Sequence, residues 1–193
     1  MSPGPGSGPG GEGQPRRWGP TPSERRARRA AIEDAAVVLD AAAAFLAVRP
    51  RSVAETRRRL GRLGYRETLV EEAVGRLLAL GYLDDEGFGR AWLESRDRAR
   101  PRGELSLRRE LRLKGLAPEQ IAALLEERAG RLDSGLEAPT SVDLAAARRL
   151  LEGRAAMLQR EADPLRRRQR AYALLARNGF DPDTCREAVG ELP

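Results

Sequence analysis

The sequence predicts an all-α protein made of three tandem three-helix units, each similar to a helix-turn-helix module. The main observation is a motif that occurs three times: a leucine, a glycine four residues later, and a large apolar residue directly after that glycine. The three copies are Leu60 with Gly64 and Tyr65, Leu111 with Gly115 and Leu116, and Leu175 with Gly179 and Phe180. Because glycine takes the left-handed conformation without a Cβ clash, each copy predicts a helix end followed by a turn back onto the core.

The second observation is that the register continues beyond each glycine. Apolar residues stand six residues after it (Val70, Ile121 and Cys185), nine after it (Ala73, Leu124 and Ala188) and ten after it (Val74, Leu125 and Val189). Positions six and ten differ by four, so these side chains share one face of a helix. Composition alone would not keep this register three times, and the pattern therefore predicts an internal repeat and a stack of helical units.

Composition limits the classes of function. The 193 residues carry a net charge of +6, and of the 35 basic residues only Lys114 is a lysine, so positive charge is presented almost entirely as guanidinium groups that suit carboxylate and phosphate oxygens. The chain has no histidine and one cysteine, which removes an internal disulfide, the usual metal ligand and the usual general base. These features favour a binding protein with an acidic partner over an enzyme.

The first 33 residues are interpreted as an arm. Residues 1–22 contain seven glycines and six prolines, which predicts a disordered tail, and the G-x-G-x-x-G match at residues 6–11 lacks the flanking strand and helix of a nucleotide site. Thr21 to Glu24 form a capping box, with proline at the first helical position, that can begin a basic helix. That helix is either an electrostatic tether or a solvated helix extension.

The first unit is assigned to residues 34–82. An alanine-rich helix is expected over residues 34–48, and a second capping box at Ser52 and Glu55 begins the middle helix that ends at Gly64. A third helix is expected over residues 67–80, and Gly81 ends the unit.

The second unit is assigned to residues 83–130. Asp84 or Asp85 is expected to cap its first helix, and acidic residues at that position are explained by the helix dipole without a cation site. One face of this helix is predicted to carry Phe88, Ala91, Trp92, Ser95 and Ala99. After a turn at residues 101–103, the middle helix is predicted to direct Leu107, Leu111 and Leu113 inward, and a third helix follows over residues 117–130.

Residues 131–140 are interpreted as a linker, and residues 141–193 as the third unit. Ser141 begins a long predicted helix that continues through Leu158. Asp163 and Pro164 supply a cap and a first-turn proline for the next helix, which leads to Gly179 and a short final helix. Cys185 occupies the position of Val70 and Ile121, so a buried, unreactive thiol is expected.

Arginines cluster on the middle helix of every unit. The candidate partner-binding or nucleic-acid-binding residues are Arg57, Arg58, Arg62, Arg108, Arg109, Arg112, Arg166, Arg167 and Arg168. Arg57 and Arg58 stand seven and six residues before the motif glycine of their unit. Arg108 and Arg109 stand at the same two positions in the second unit, so stacked units would align the two pairs. A row of guanidinium groups suits a polymeric acidic partner, whereas the alternative is a set of solvated faces paired with neighbouring glutamates. No catalytic motif, metal site or cofactor motif was found.

A specific element is formed by Gly81-Tyr82-Leu83-Asp84-Asp85 followed by Phe88, which stands between two glycine-closed helices; Gly64, Gly115 and Gly179 are the glycines of the same signature. On these residues the chain resembles the RecX family of bacterial regulators of the RecA recombinase, over about residues 38–190. Residues 49–52, residues 114–116 and residues 174–180 also match. Gly87 and Gly89 depart from the signature and are expected to loosen its helix.

The resemblance implies three three-helix units in an elongated crescent and a non-enzymatic role. It implies binding to RecA filaments on single-stranded DNA, with limited filament growth, ATP hydrolysis, strand exchange and coprotease activity. Single- or double-stranded DNA is a further candidate partner, and the alternative function is a stand-alone DNA- or RNA-binding repeat protein that competes for nucleic acid. With no apolar run of membrane-spanning length and no signal peptide, we expect a cytoplasmic, monomeric protein without cofactors.

Overall fold

The computed structural model describes residues 19–130 and 141–192, which form eleven helices and no strand. The predicted disorder of the tail and the predicted linker concern residues 1–18 and 131–140, which lie outside the described residues. The helices are α1 (Pro22–Ala30) in the arm; α2 (Ala35–Leu46), α3 (Val53–Leu63) and α4 (Glu67–Ala79) in the first unit; α5 (Asp85–Ala99), α6 (Glu104–Lys114) and α7 (Pro118–Gly130) in the second; and α8 (Val142–Glu152), α9 (Ala155–Gln159), α10 (Pro164–Arg177) and α11 (Pro182–Gly190) in the third.

Each unit has its own hydrophobic core. The repeated positions supply it: Leu60, Leu111 and Leu175 are fully buried, and so are Ile121 and Cys185. The residues nine and ten after each glycine are buried as well, which confirms the predicted face of the third helix in every unit. The all-helical repeat fold predicted from the sequence is therefore correct.

Most predicted helix ends are also confirmed. Both capping boxes form, with Thr21 Oγ1 accepting from the Glu24 N–H and Ser52 Oγ accepting from the Glu55 N–H. The three motif glycines have positive φ, as does Gly81. These signals are local, so the sequence is sufficient to locate them.

Three sequence expectations about packing were wrong. Leu113 was predicted to point inward but is 66% exposed, because it stands two residues after the buried Leu111 and so lies on the other side of α6. On α5 the buried residues are Phe88, Gly89 and Leu93, whereas Ala91, Ser95 and Ala99 are exposed. The long third-unit helix is broken after Glu152 and continues as the short α9.

Gly89 lies where α5 packs closely against α7. A Cβ at this position would come closer than 3.0 Å to a methyl carbon of Leu124 on α7. Glycine thus lets α5 approach α7, and this approach explains why the inward face of α5 is rotated from the predicted one.

The middle helices of successive units meet end to end. At the first junction, the N-terminus of α3 lies on the C-terminus of α6, where Ser52 Oγ donates to the Lys114 carbonyl oxygen at 2.6 Å. At the second, the N-terminus of α6 lies on the C-terminus of α10, where the Gly103 N–H donates to the Asn178 carbonyl and the Leu105 N–H to the Gly179 carbonyl. The free N–H groups at the start of one helix thereby meet the free carbonyl groups at the end of another. The positive end of one helix dipole also faces the negative end of the other, which is favourable.

The arm helix α1 lies at the free end of this series. Its Arg26 backbone is the nearest neighbour of Gly64, the left-handed residue that ends α3. Arg66 reinforces the contact, since its Nη2 donates to the Ile32 carbonyl oxygen at 2.9 Å and stands 3.3 Å from the Glu33 carboxylate.

Candidate functional site

A carboxylate from the following unit completes each junction. Asp85 Oδ1 accepts from the Val53 N–H at 2.9 Å, and Asp143 Oδ2 accepts from the Glu104 N–H at 2.7 Å. Each accepting oxygen satisfies the first N–H of a middle helix. Burial raises the pKa of the Asp85 carboxyl, although the hydrogen bond from Val53 acts in the opposite direction.

Lys114 holds the first junction from its side chain as well as its backbone. Its Nζ lies 2.8 Å from Glu55 Oε1 and 4.5 Å from the centre of the Trp92 ring. Burial of the Glu55 carboxyl acts to raise its pKa, but the hydrogen bond and charge of Lys114 outweigh burial, so the pKa lies below its usual value. The single lysine of the chain is therefore part of the interface between units.

The first-unit arginines predicted to bind a partner lie on the exposed side of α3. Arg57 donates through Nε and Nη2 to the Glu71 carboxylate at 2.8 and 2.7 Å, so its charge is already paired. Arg58 Nη2 donates to the Leu113 carbonyl oxygen of the second unit at 3.1 Å. Arg62 Nε donates to the Arg58 carbonyl oxygen, which leaves its terminal nitrogens available.

The second-unit arginines continue this surface along α6. Arg108 is paired with Glu104 one turn earlier, whereas Arg109 and Arg112 are exposed and have no hydrogen-bond or ion-pair partner among the residues described. Arg58 on α3 reaches the last turn of α6, the helix that carries Arg109 and Arg112, and Arg62 follows Arg58 one turn later on α3. We call these four residues the arginine face.

The third-unit arginines are located elsewhere. Arg166, Arg167 and Arg168 lie within the first five residues of α10, and the hydrogen bonds to α6 come from the opposite end of that helix. A helix of 14 residues is about 21 Å long, so this cluster is separated from the second junction by most of that length. Arg166 is paired with Asp163, Arg167 Nε donates to the Glu161 carbonyl oxygen, and Arg168 Nη2 donates to the Leu192 carbonyl oxygen.

A cleft of about 610 Å³ lies beside the arginine face in the first unit. We call it the first arginine cleft; it is lined by Phe45, Arg51, Glu55, Arg58, Arg59, Arg62 and Leu63. The guanidinium of Arg51 stands 4.3 Å from the centre of the Phe45 ring, and that of Arg59 stands 5.7 Å from it. Two cations thus lie against one aromatic ring, an arrangement that orients them at the rim of the cleft.

The sequence interpretation did not include Arg51 among the site residues. Arg51 and Arg102 each follow a proline and stand thirteen residues before their motif glycine, at 51 to 64 and at 102 to 115. Aligning the units over the residues before each motif glycine would have identified both arginines. Burial lowers the pKa of Arg51 from its usual value, with a further contribution from Arg49, but arginine remains charged at neutral pH.

The signature residues divide into buried and exposed positions. Leu83 is 2% exposed, Phe88 is buried against Trp92 with ring centres 6.0 Å apart, and the Asp84 side chain caps α5. Tyr82 is 71% exposed. Leu83 belongs to the core of the first unit and Phe88 to that of the second, so most of the signature builds the cores and the junction between them, whereas Tyr82 presents its ring to solvent.

Sequence reasoning also missed Arg128, which joins the second and third units. Its side chain is 7% exposed and donates to both carboxylate oxygens of Asp97, at 2.9 and 2.8 Å, and to Asp143 Oδ1 at 2.8 Å. Burial acts to lower the pKa of Arg128, but the two aspartates raise it above its usual value. The ion triad fixes the carboxylate that caps α6.

Within the described ranges, no group of three or more acidic or cysteine side chains is arranged to hold a metal ion. No helix there has the length and apolar character needed to cross a membrane. The fold and the site define a tandem helical-repeat protein that acts by binding, with arginine-rich surfaces built at and beside its unit junctions.

Comparison with known proteins gives the family. Models of the first, second and third three-helix domains of RecX match residues 39–77, 84–125 and 141–189. The chain is 34% identical over 159 residues to a protein named regulatory protein RecX from Prosthecochloris aestuarii, covering 82% of this chain and 95% of that one. It is 30% identical over 149 residues to the protein of that name from Mycobacterium tuberculosis, covering 77% and 82%.

The fold agrees with solved structures. A crystal structure of RecX from Lactobacillus salivarius superposes with a TM-score of 0.68 at 17% identity, covering 83% of this chain and 97% of that one. A second, described as a regulatory protein RecX, gives 0.65 at 16% identity, covering 89% and 74%. The chain belongs to the RecX family, a family of non-enzymatic regulatory proteins.

Proposed function

We propose that this protein regulates the RecA recombinase by binding RecA filaments on single-stranded DNA, and that it limits their ATP hydrolysis, strand exchange and coprotease activity. Family membership supports RecA regulation. The observation that supports filament binding is the contact of Arg58 with the Leu113 carbonyl, which joins arginines of two units into one surface. The protein acts in the cytoplasm as a monomer, with DNA as a second partner.

The arginine face is suited to a repeating acidic partner. Arg109 and Arg112 make no ion pair with any described side chain, so binding would not first require an internal pair to break. A row of such groups along joined units can contact successive subunits of a filament, where many weak contacts add. The third-unit arginines, separated by the length of α10, would contact a different part of the filament.

Charge reversal of Arg109 and Arg112 tests the proposal. Since neither side chain has a described partner, Arg109→Glu with Arg112→Glu should leave the helical circular dichroism signal and the unfolding midpoint unchanged. Inhibition of the DNA-dependent ATPase of preformed RecA filaments should be lost. The matched control is Arg76→Glu with Arg160→Glu, which makes the same charge change at exposed positions on α4 and at the end of α9, again where no partner is described.

The outcome that contradicts the proposal is unchanged inhibition by the Arg109 and Arg112 variant, or an equal loss of inhibition in the control variant.

A titration separates the alternative function, in which the protein only competes for nucleic acid. A competitor must be roughly stoichiometric with DNA sites and must lose affinity steeply with salt, whereas a filament inhibitor acts at low ratios to RecA.

A further inference from the structure

A second arginine cleft lies at the junction of the second and third units. It has a volume of about 610 Å³, within the usual range of ligand sites, and it is formed where the end of α5 and the following turn face the end of α8. Five arginines contribute to its lining: Arg98, Arg100, Arg102, Arg149 and Arg154. None of them belongs to the arginine face or to the first arginine cleft.

Four of these arginines are not neutralised by the protein. Arg98, Arg100, Arg149 and Arg154 have no side-chain hydrogen bond or ion pair with any described residue. The one carboxylate in the lining, Asp97, is held on both oxygens by Arg128. The cleft therefore has a local excess of positive charge that nothing in the described structure balances.

Arg102 adds to this charge. It bonds the side-chain oxygen of Asn178 through Nη1, and its ion pair with Glu110 is long, at 4.0 Å. That glutamate already accepts from Arg96 at 2.7 Å and from Trp92 Nε1 at 2.9 Å. The Arg102 Nε atom is buried and has no hydrogen-bond partner among described residues, so its guanidinium is only partly compensated.

Helix dipoles do not account for the cluster. The C-termini of α5 and α8 face the cleft, and each supplies partial negative charge equivalent to about half an electron. Together they offset roughly one of the four unpaired charges. A ligand that neutralised the remainder would carry several negative charges close together, and forked guanidinium groups match phosphate oxygens in geometry and charge.

We propose that the second arginine cleft binds closely spaced phosphate groups, supplied either by a free polyphosphate or by the backbone of a single nucleic-acid strand. A nucleic-acid strand as ligand rests on the DNA contact included in the proposed function, whereas a free polyphosphate goes beyond it. In both cases the site uses residues outside the arginine face and needs no recombinase. Its position at the junction means that a bound phosphate would bridge α5 of one unit and α8 of the next.

Binding measurements on the full chain without RecA test this site. The probes are sodium tripolyphosphate, followed by calorimetry, and a fluorescein-labelled oligothymidylate, followed by anisotropy at several salt concentrations. Arg98→Ala with Arg149→Ala removes one arginine from each side of the cleft and should weaken binding of the occupying probe about tenfold. For the strand, the negative slope of the logarithm of the association constant against the logarithm of salt concentration should become shallower by about 1.4.

Two further variants control the result. Arg76→Ala with Arg186→Ala removes the same charge elsewhere and should leave affinity nearly unchanged. Arg98→Lys with Arg149→Lys keeps the charge and should retain the salt slope. If tripolyphosphate binds and the strand does not, the ligand of the cleft is a free polyphosphate. If the strand binds and tripolyphosphate does not displace it, the ligand is a nucleic-acid backbone.

The proposal is overturned if neither probe binds the unmodified protein, or if the cleft variant binds as tightly as the control. A fold defect is excluded by comparing the thermal unfolding of the variants. Failure here would not affect the RecA proposal, whose readout is ATPase inhibition by variants of Arg109 and Arg112.

Discussion

Gly115, the left-handed residue that ends α6, lies directly against Ala54 in the first turn of α3. A Cβ on Gly115 would come closer than 3.0 Å to the Ala54 Cβ. The same relation holds between Gly179 and Ser106 at the next junction. The repeated glycine therefore serves two purposes, since it ends a middle helix and also makes room for the middle helix of the preceding unit.

Replacing this glycine should destabilise the first junction. Gly115→Ala combines an unfavourable left-handed conformation with overlap against Ala54, and we expect a loss of about 3 kcal/mol in the free energy of unfolding, measured by urea denaturation. The control is Gly61→Ala, within α3, where a Cβ meets nothing within 4 Å and should stabilise by about 0.5 kcal/mol. Equal effects of the two changes would refute the packing role.

The contribution of Glu55 should depend on pH. Its pKa is lower in the folded protein than in the unfolded chain, so its carboxylate stabilises the fold above the unfolded value of about 4.3. That stabilisation is lost as pH falls through the lowered folded pKa. Glu55→Gln keeps the capping geometry but removes the charge.

The measurement is the unfolding free energy of both proteins at about pH 6 and about pH 3. The unmodified protein should be more stable than Glu55→Gln at the higher pH, and the difference should shrink at the lower one. Glu72→Gln, at an exposed position in the middle of α4 with no described partner, should show almost no difference at either pH. A difference for Glu55 that grows on acidification would contradict the assigned sign.

Removing Arg128 should cost far more than removing an exposed arginine. Arg128→Ala leaves Asp97 and Asp143 without their cation in a partly buried site, and we expect a loss of about 3 kcal/mol. Arg90→Ala breaks exposed pairs with Glu86 and Glu127 and should cost less than about 1 kcal/mol. Urea denaturation distinguishes them, and similar losses would show that the triad is not a special stabilising element.

Mutations in the signature element should reduce stability in proportion to how deeply each side chain is buried. Leu83→Ala empties a position that is 2% exposed, and we expect it to cost about 3 kcal/mol. Tyr82→Ala changes a side chain that faces solvent and should alter stability by no more than about 0.5 kcal/mol. Thermal unfolding of the two variants measures both effects, and a large loss for Tyr82 would contradict its exposed position.

The candidate site was only partly readable from the sequence. Nine arginines of the three middle helices were predicted as one row. The structure shows that Arg58 reaches the last turn of the helix that carries Arg109 and Arg112, whereas the three arginines of α10 lie near the far end of that helix. Arg57 and Arg108 belong to the same sequence clusters, but their partners Glu71 and Glu104 are apparent only from geometry. The second arginine cleft could not be predicted, because α5 and α8 come together only in the folded chain.

The sequence by itself determined most local features of this protein: where most helices begin and end, which face of each third helix is buried, and how many units there are. Caps, left-handed glycines and apolar periodicity act within a few residues, so they can be recognised before any fold is known. The tertiary structure alone decided how the units join. Ser52 and Lys114 are 62 residues apart in the chain yet share a hydrogen bond, and Arg128 binds carboxylates in two units. Such contacts depend on distances in space that no local pattern encodes.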